Sequence, residues 1–90
     1  MADAGPQMTA AEWIAHFADE LPTGSAGVPS AEEQRLILEL SRIAAHSSER
    51  IAAPIASYMV GTAVASLSAE ERADRIRRLV EEQEKQASRS

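Results

Sequence analysis

Cysteine is absent from this chain, and aromatic residues, proline and glycine are scarce. Without cysteine, neither a disulfide nor a thiolate metal site can form. The first thirty residues also lack lysine and arginine, and the formal net charge is −5. Because basic side chains that neutralise phosphates supply most nucleic-acid affinity, this charge argues against a nucleic-acid partner. Four basic residues cluster near the end, but they alternate with acids and read as a solvated face: Arg72, Arg75, Arg77 and Arg78.

The length of 90 residues fits one small domain whose stability is marginal, so a partner or a second copy is a reasonable expectation. The N-terminus has neither the basic residues nor the apolar core of a signal peptide. The uncharged run 51–67 approaches the length of a membrane span, but it contains proline, glycine and hydroxyl residues. We therefore expect no membrane partner and a cytoplasmic protein.

Three segments begin with a capping box, in which Ser or Thr precedes Glu by three residues. They are Thr9–Glu12, Ser30–Glu33 and Ser68–Glu71. Together with hydrophobic periodicity they predict helices over about 10–21, 31–47 and 69–83, and a further helix over 54–67 opens with Pro54 in its first turn. We expect residues 1–8 to be a disordered leader, 9–83 a single domain and 84–90 a frayed end.

The third predicted helix is apolar on nearly every side, so other helices should surround it. The expected fold is therefore all-α, a compact four-helix bundle or orthogonal array around this central helix. Each flanking helix carries an apolar stripe expected to face the core. The stripes are Trp13, Ile14, Phe17 and Leu21; Leu36, Ile37, Leu40, Ile43, Ala44 and Ser47; and Ala73, Ile76, Leu79, Val80 and Gln83.

A ridge of small residues runs along the third helix at a spacing of four: Ala53, Ser57, Gly61 and Ala65. Small ridges let helix backbones approach closely. Glycine inside a helix costs about 1 kcal/mol relative to alanine, so close packing is the natural explanation for Gly61. We predict that this ridge is an interface with a neighbouring helix or a second subunit.

The corner between the second and third helices offers a tentative binding site formed by His46, Arg50, Pro54 and Tyr58. The functional interpretation is an anion or carboxylate site that also uses the first amides of the third helix. The alternative, which we favour, is that His46 and Arg50 interact with the negative end of the second helix. Trp13 and Phe17 are likewise better explained by core packing than as an exposed anchor for a partner.

No residue set has the pattern of an enzyme or a metal site. The two histidines, His16 and His46, lack the spacing of a zinc site. No serine or threonine has a base near it in sequence, and the paired glutamates diverge on their helices. We therefore predict no catalytic residues, no metal, no cofactor and no enzymatic activity.

The segments 38–46 and 49–61 resemble a family of small helical domains of unknown function that is common in actinobacteria. The shared pattern is a leucine-rich helix, Ala-Ala-His, an Arg, then Ala-Ala-Pro and an apolar helix with Gly, and Trp13 after Glu12 also fits. His46, Arg50 and Pro54 match the motif, and the similarity covers about residues 11–80. This chain differs in its longer charged last helix and its acidic leader.

Members of that family stand alone or are appended to enzymes of the molybdopterin-guanylyltransferase type. The resemblance therefore implies an accessory role near molybdenum-cofactor maturation, and it carries over no catalytic residue. We expect a non-enzymatic accessory or protein-interaction module, acting on a protein partner or by self-association. The alternative is a small-ligand or anion-binding domain that uses the corner around His46.

Overall fold

The computed structural model describes residues 8–22 and 27–89, which form four α-helices and no strand. The helices are α1 (Ala10–Ala18), α2 (Ala31–Ser47), α3 (Ala52–Ala63) and α4 (Ala69–Arg89). The all-α class and the four helices are confirmed. The predicted leader, apart from Met8, and residues 23–26 of the first loop lie outside the described part of the chain.

Thr9, Ser30 and Ser68 cap the helices that follow them, as predicted, but only two of the three capping boxes are complete. Thr9 and Ser68 each form a complete capping box with the glutamate three residues later. Ser30 forms half of one: its hydroxyl accepts from the backbone N–H of Glu33 at 3.1 Å, but the Glu33 carboxylate does not return to the cap. That carboxylate instead binds Arg72 on α4. The Ser30–Glu33 motif therefore both caps α2 and connects it to α4.

The hydrophobic core lies between α2 and α4 and is closed at one end by the C-terminus of α3. Its members are Leu36, Leu40, Ile43, Val64, Ala73, Ile76 and Val80. The stripes predicted for α2 and α4 supply six of these seven residues. The side chains beside them, Ile37, Val60 and Leu67, are partly buried. The faces of α2 and α4 that were predicted to be buried are therefore confirmed. Charged residues on the other faces made this prediction possible.

The central position predicted for the third helix is wrong. Extensive contacts join α2 to α4 and α2 to α3, so α2 is the helix that both of the others contact. No residue within α3 is buried. Only the side of α3 that carries Ala56 and Val60, continuing to Val64 and Leu67, faces the core. An uncharged helix needs cover, but the sequence does not say whether its own chain provides it.

The predicted core packing of α1 is also wrong. None of its residues is buried, and it forms no extensive contact with another helix. Trp13 and Phe17 are largely exposed and stack on each other with ring centroids 5.0 Å apart. The buried side of α2 is already occupied by α3 and α4, so α1 has no core to join.

Four helix ends differ from the sequence prediction. α3 begins at Ala52 and ends at Ala63, where the sequence predicts about 54–67. α1 stops at Ala18, and residues 19–21 continue as a tighter turn because their N–H groups donate to carbonyls three residues back. α4 continues to Arg89, beyond the predicted end at Gln83. The fraying expected from residue 84 onward stays a prediction. Pro54 lies in the first turn of α3, as predicted.

Among the described residues, no helix is both long enough and apolar enough to cross a membrane.

Candidate functional site

An open groove of about 390 Å³ lies where α2, α3 and α4 meet. Its walls are mostly apolar and come from all three helices, through Ile37, Val60, Val64 and Ile76. Gly27 and Pro29, which precede α2, also line it. The groove exists because α3 contacts α2 along one side and leaves the space toward α4 unfilled.

A salt bridge between Glu33 and Arg72 lines the groove and joins α2 to α4. Arg72 donates from Nε to Glu33 Oε2 at 2.8 Å, and from Nη2 to Oε1 at 3.2 Å. Its Nη1 donates to the backbone carbonyl of Leu67 at 3.0 Å. The Glu33 side chain raises the pKa of the Arg72 guanidinium by accepting these hydrogen bonds. Both charges are thus engaged, so the pair holds helices together and leaves neither group available for acid–base chemistry.

The sequence contains a signal for this pair, although it was not used in the prediction. Glu33 precedes Leu36 and Leu40 by three and seven residues, so it lies on the apolar stripe of α2. Only 5% of Glu33 is exposed. A carboxylate at a core position requires a basic partner, because an unpaired buried charge is very costly. The stripe position therefore indicates a partner, while the choice of Arg72 depends on how the helices pack.

Three of the four predicted ridge residues line this groove: Ser57, Gly61 and Ala65. Ala53 does not. Ser57 is half-buried and shares a hydrogen bond of 2.9 Å with Ser41 of α2. At Ser57, therefore, the ridge does pack on a helix of its own chain. At Gly61, however, an added Cβ meets no atom within 4 Å. Close packing within the chain therefore does not explain Gly61.

The outer face of α3, defined by Ile51, Ile55, Tyr58 and Met59, is exposed to solvent. Tyr58 is 73% exposed and Ile55 is 59% exposed. The expectation that Tyr58 lies within a buried helix is wrong, because α3 is covered on one side only. No residue of α3 is charged. This surface therefore combines large apolar side chains with an absence of charge along the whole helix.

The predicted binding corner is not gathered into one cavity. His46 lies in a cleft between the end of α2 and the last turns of α4, beside Arg42 and Glu84. Arg50 and Tyr58 do not line that cleft, and both are exposed. At the end of α2, the N–H of Ser48 donates to the carbonyl of Ala44 at 3.1 Å. A binding role for His46, Arg50, Pro54 and Tyr58 stays a prediction.

Ion pairs elsewhere lie on exposed faces of the helices. Arg42 donates to Glu39 one turn before it, and this hydrogen bond lowers the pKa of the Glu39 carboxyl. Asp74 accepts from Arg78 at 2.9 Å. His16 lies 3.4 Å from the carboxylate of Glu20, as expected of a residue at the edge of α1. Within residues 8–22 and 27–89, no three carboxylate or imidazole groups are arranged to hold a metal ion.

Fold and surface together define a small all-α domain with an open groove and an exposed apolar helix. The family model for the domain of unknown function DUF6457 matches residues 5–88, and the chain therefore belongs to that family. No curated protein and no solved structure matches the chain. The resemblance to a family of unknown function noted from the sequence agrees with this membership at that level.

Proposed function

We propose that this domain is a non-enzymatic protein-interaction module that binds a partner through the outer face of α3. The observation that carries the proposal is the exposure of Ile51, Ile55, Tyr58 and Met59 on a helix without a single charge. Monomeric proteins rarely expose contiguous apolar patches of more than a few hundred Å² unless the patch binds something. Tyrosine at its centre suits such a role, because tyrosine is enriched among residues that dominate interface energies.

The arrangement of polar groups supports binding rather than catalysis. The one substantially buried charged pair, among the residues described, is Glu33 with Arg72, and each partner is held by the other. A general acid or base needs a free proton-accepting atom facing a substrate site. The groove offers mostly apolar walls, which favour an apolar side chain over a reacting polar group.

A candidate class of partner comes from the family resemblance rather than from the surface. We propose enzymes of molybdenum-cofactor maturation, specifically the molybdopterin-guanylyltransferase type, as the first partners to test. We also propose that the protein is cytoplasmic and that its family is common in actinobacteria. Direct titration of this domain against such a purified enzyme tests the class, and lack of binding would remove it without affecting the proposed face.

The docking face is tested by placing a photo-crosslinking amino acid at Tyr58 in living cells. A partner identified by the crosslink is then purified and titrated against three forms of this chain. We expect Ile55→Glu to weaken binding at least about tenfold, because it buries a charge without a counterion at the interface. Leu38→Glu is the matched control, since Leu38 is 70% exposed on α2 and lies outside this face. Equal affinities for the two variants would contradict the proposal.

A further inference from the structure

Helix α1 has good local signals but no tertiary support. Its nine residues begin with a complete capping box, in which Thr9 and Glu12 satisfy each other's backbone amides. Yet none of its side chains is buried. Isolated helices shorter than about 12–15 residues are marginal in water, because few hydrogen bonds offset the cost of nucleation. A stable α1 therefore requires a surface to pack against.

The face that α1 offers to such a surface is aromatic. Trp13 and Phe17 are one turn apart and stacked, and Leu21 follows in the tighter turn after α1. Trp13 is 52% exposed, and both other side chains exceed a third. Aromatic residues on one helix face are the usual anchors of helix-in-groove binding.

The groove between α2, α3 and α4 leaves room for such a face. Its α3 wall is lined by Ser57, Gly61 and Ala65, which are too small to fill it, and the space above Gly61 is empty to 4 Å. The α2 wall provides apolar contact through Ile37. We propose that α1 of a second copy of this chain occupies this groove with Trp13 and Phe17, and that the exchange is reciprocal.

The area involved favours reciprocal exchange over one-way docking. Trp13, Phe17 and Leu21 each leave roughly 100 Å² exposed, or roughly 300 Å² for the face, given the usual sizes of these side chains. One docked α1 thus removes roughly 600 Å² from water on both partners together, which is typical of a crystal contact. Two docked helices remove roughly 1,200 Å², which reaches the lower limit of specific interfaces. A two-fold dimer, the commonest oligomer, is the arrangement that satisfies this.

The charges allow the same arrangement. The described part of α1 and its turn carries Glu12, Asp19 and Glu20 without Lys or Arg, so it would be repelled by an acidic groove. The charges that line the groove, Glu33 and Arg72, neutralise each other, and α3 has none. An acidic helix therefore meets no uncompensated like charge in this groove.

Self-association through the groove uses a different surface from the outer face of α3. Neither Ile55 nor Tyr58 lines the groove, and Trp13 lies on another helix. A failure of one proposal therefore leaves the other standing, and separate variants test each.

The first test is a concentration series from about 5 to about 500 µM. Over this range we expect a dimer with so small an interface to form from monomers. Light scattering after size exclusion gives the mass, and fluorescence reports on Trp13 directly because it is the chain's only tryptophan. We expect the mass to rise toward twice 9.7 kDa and the Trp13 emission to shift to the blue over the same range.

Two substitutions at Gly61 identify the surface. Gly61→Leu should raise the dimer dissociation constant at least about tenfold by filling the groove. It should not lower the melting temperature of the dilute monomer, since an added Cβ meets no atom there. Gly61→Ala is the control, because a single methyl group leaves most of the groove open. Ile55→Glu should leave the mass series unchanged.

Three results would overturn the proposal. One is a monomeric mass with solvent-exposed Trp13 emission at every concentration. Another is a monomeric mass with blue-shifted emission at every concentration, which would mean that α1 packs on its own chain or remains covered otherwise. The last is a dimer that Gly61→Leu does not weaken, which would place the interface elsewhere, including the outer face of α3.

Discussion

The helices α2 and α4 differ from α1 and α3 in a way that reverses the usual relation between hydrophobicity and burial. α2 and α4 are rich in charged residues, yet they supply six of the seven core residues. α1 and α3 are rich in apolar residues, yet neither contains a buried one. Core formation here depends on where apolar residues lie on a helix. A narrow stripe with charged flanks has one way to pack, whereas an apolar surface on several sides has many.

The difference also separates stability from interaction within one short chain. The α2–α4 pair, with the end of α3, holds the fold together, and the exposed apolar residues add little to that core. A domain of this size has little apolar surface to spare from its core, so the exposed apolar faces of α1 and α3 are expected to bind partners. Substitutions of the same kind in the two regions should therefore affect different properties.

The largest difference should come from truncating an isoleucine in each region. Ile76 is 2% exposed at the centre of the core, and Ile76→Ala should lower the free energy of unfolding by about 2–5 kcal/mol. Ile55 is 59% exposed, and Ile55→Ala should change it by no more than about 0.5 kcal/mol. Urea denaturation followed by circular dichroism, on dilute protein, measures both. Similar losses would mean that α3 is covered in solution.

A smaller difference should separate the buried ion pair from an exposed one. Glu33→Ala leaves Arg72 without its partner, and we expect the melting temperature to fall by roughly 10 °C. Glu39→Ala removes the exposed pair with Arg42 and should lower the melting temperature by no more than about 2 °C. Thermal scans of both variants at neutral pH provide the measurement. A large effect of Glu39→Ala would show that this ion pair is less exposed in solution than the structure indicates.

The smallest expected effect concerns the exposed start of α4 and depends on pH. The Ser68 N–H donates to the Glu71 carboxylate at 3.0 Å and lowers the pKa of Glu71 below its ordinary value. Since the folded state favours the ionised form, this stabilisation is present above the unfolded pKa and is lost as pH falls through the folded pKa. Glutamine keeps the hydrogen bond but does not titrate. Between about pH 5 and about pH 3, the melting temperature of Glu71→Gln should fall about 1–3 °C less than that of the wild type.

That comparison isolates Glu71, because the Glu39 carboxyl, whose pKa is also lowered, is present in both proteins. Parallel pH profiles would indicate that the capping carboxylate contributes nothing that depends on its charge.

The sequence predicts the helices well where local signals decide. The bounds of α2 match residue for residue, because a capping serine begins it and a clear stripe persists to Ser47. Contacts between helices could not be predicted to the same degree. The stripe of Trp13 and Phe17 is the same whether it covers its own core or another chain, so periodicity cannot choose between them. The groove depends on the angle at which α3 meets α2, which no local pattern encodes.

The candidate site was predicted in part. The ridge residues Ser57, Gly61 and Ala65 do line a cavity, because residues at a spacing of four share a helix face. The corner residues His46 and Arg50 were placed together by their nearness in sequence, but Arg50 follows the end of α2 and is not carried into the cleft beside His46. The position of Glu33 on the apolar stripe indicates a basic partner, but Arg72 is 39 positions away, so its choice follows from the packing.

The contacts of Arg72 have a consequence for folding cooperativity. One guanidinium binds the first turn of α2 through Glu33 and the junction after α3 through the Leu67 carbonyl, and it is itself part of α4. Unfolding of the first turn of α2 or of the junction after α3 breaks its bonds to Arg72, and unfolding of the start of α4 breaks both sets. The backbone amides of residues 30–80 should therefore exchange through global unfolding and not through local opening. Their exchange should be slow and uniform. Helix α1 is outside this unit and should exchange independently, at a rate set by how often its face is covered.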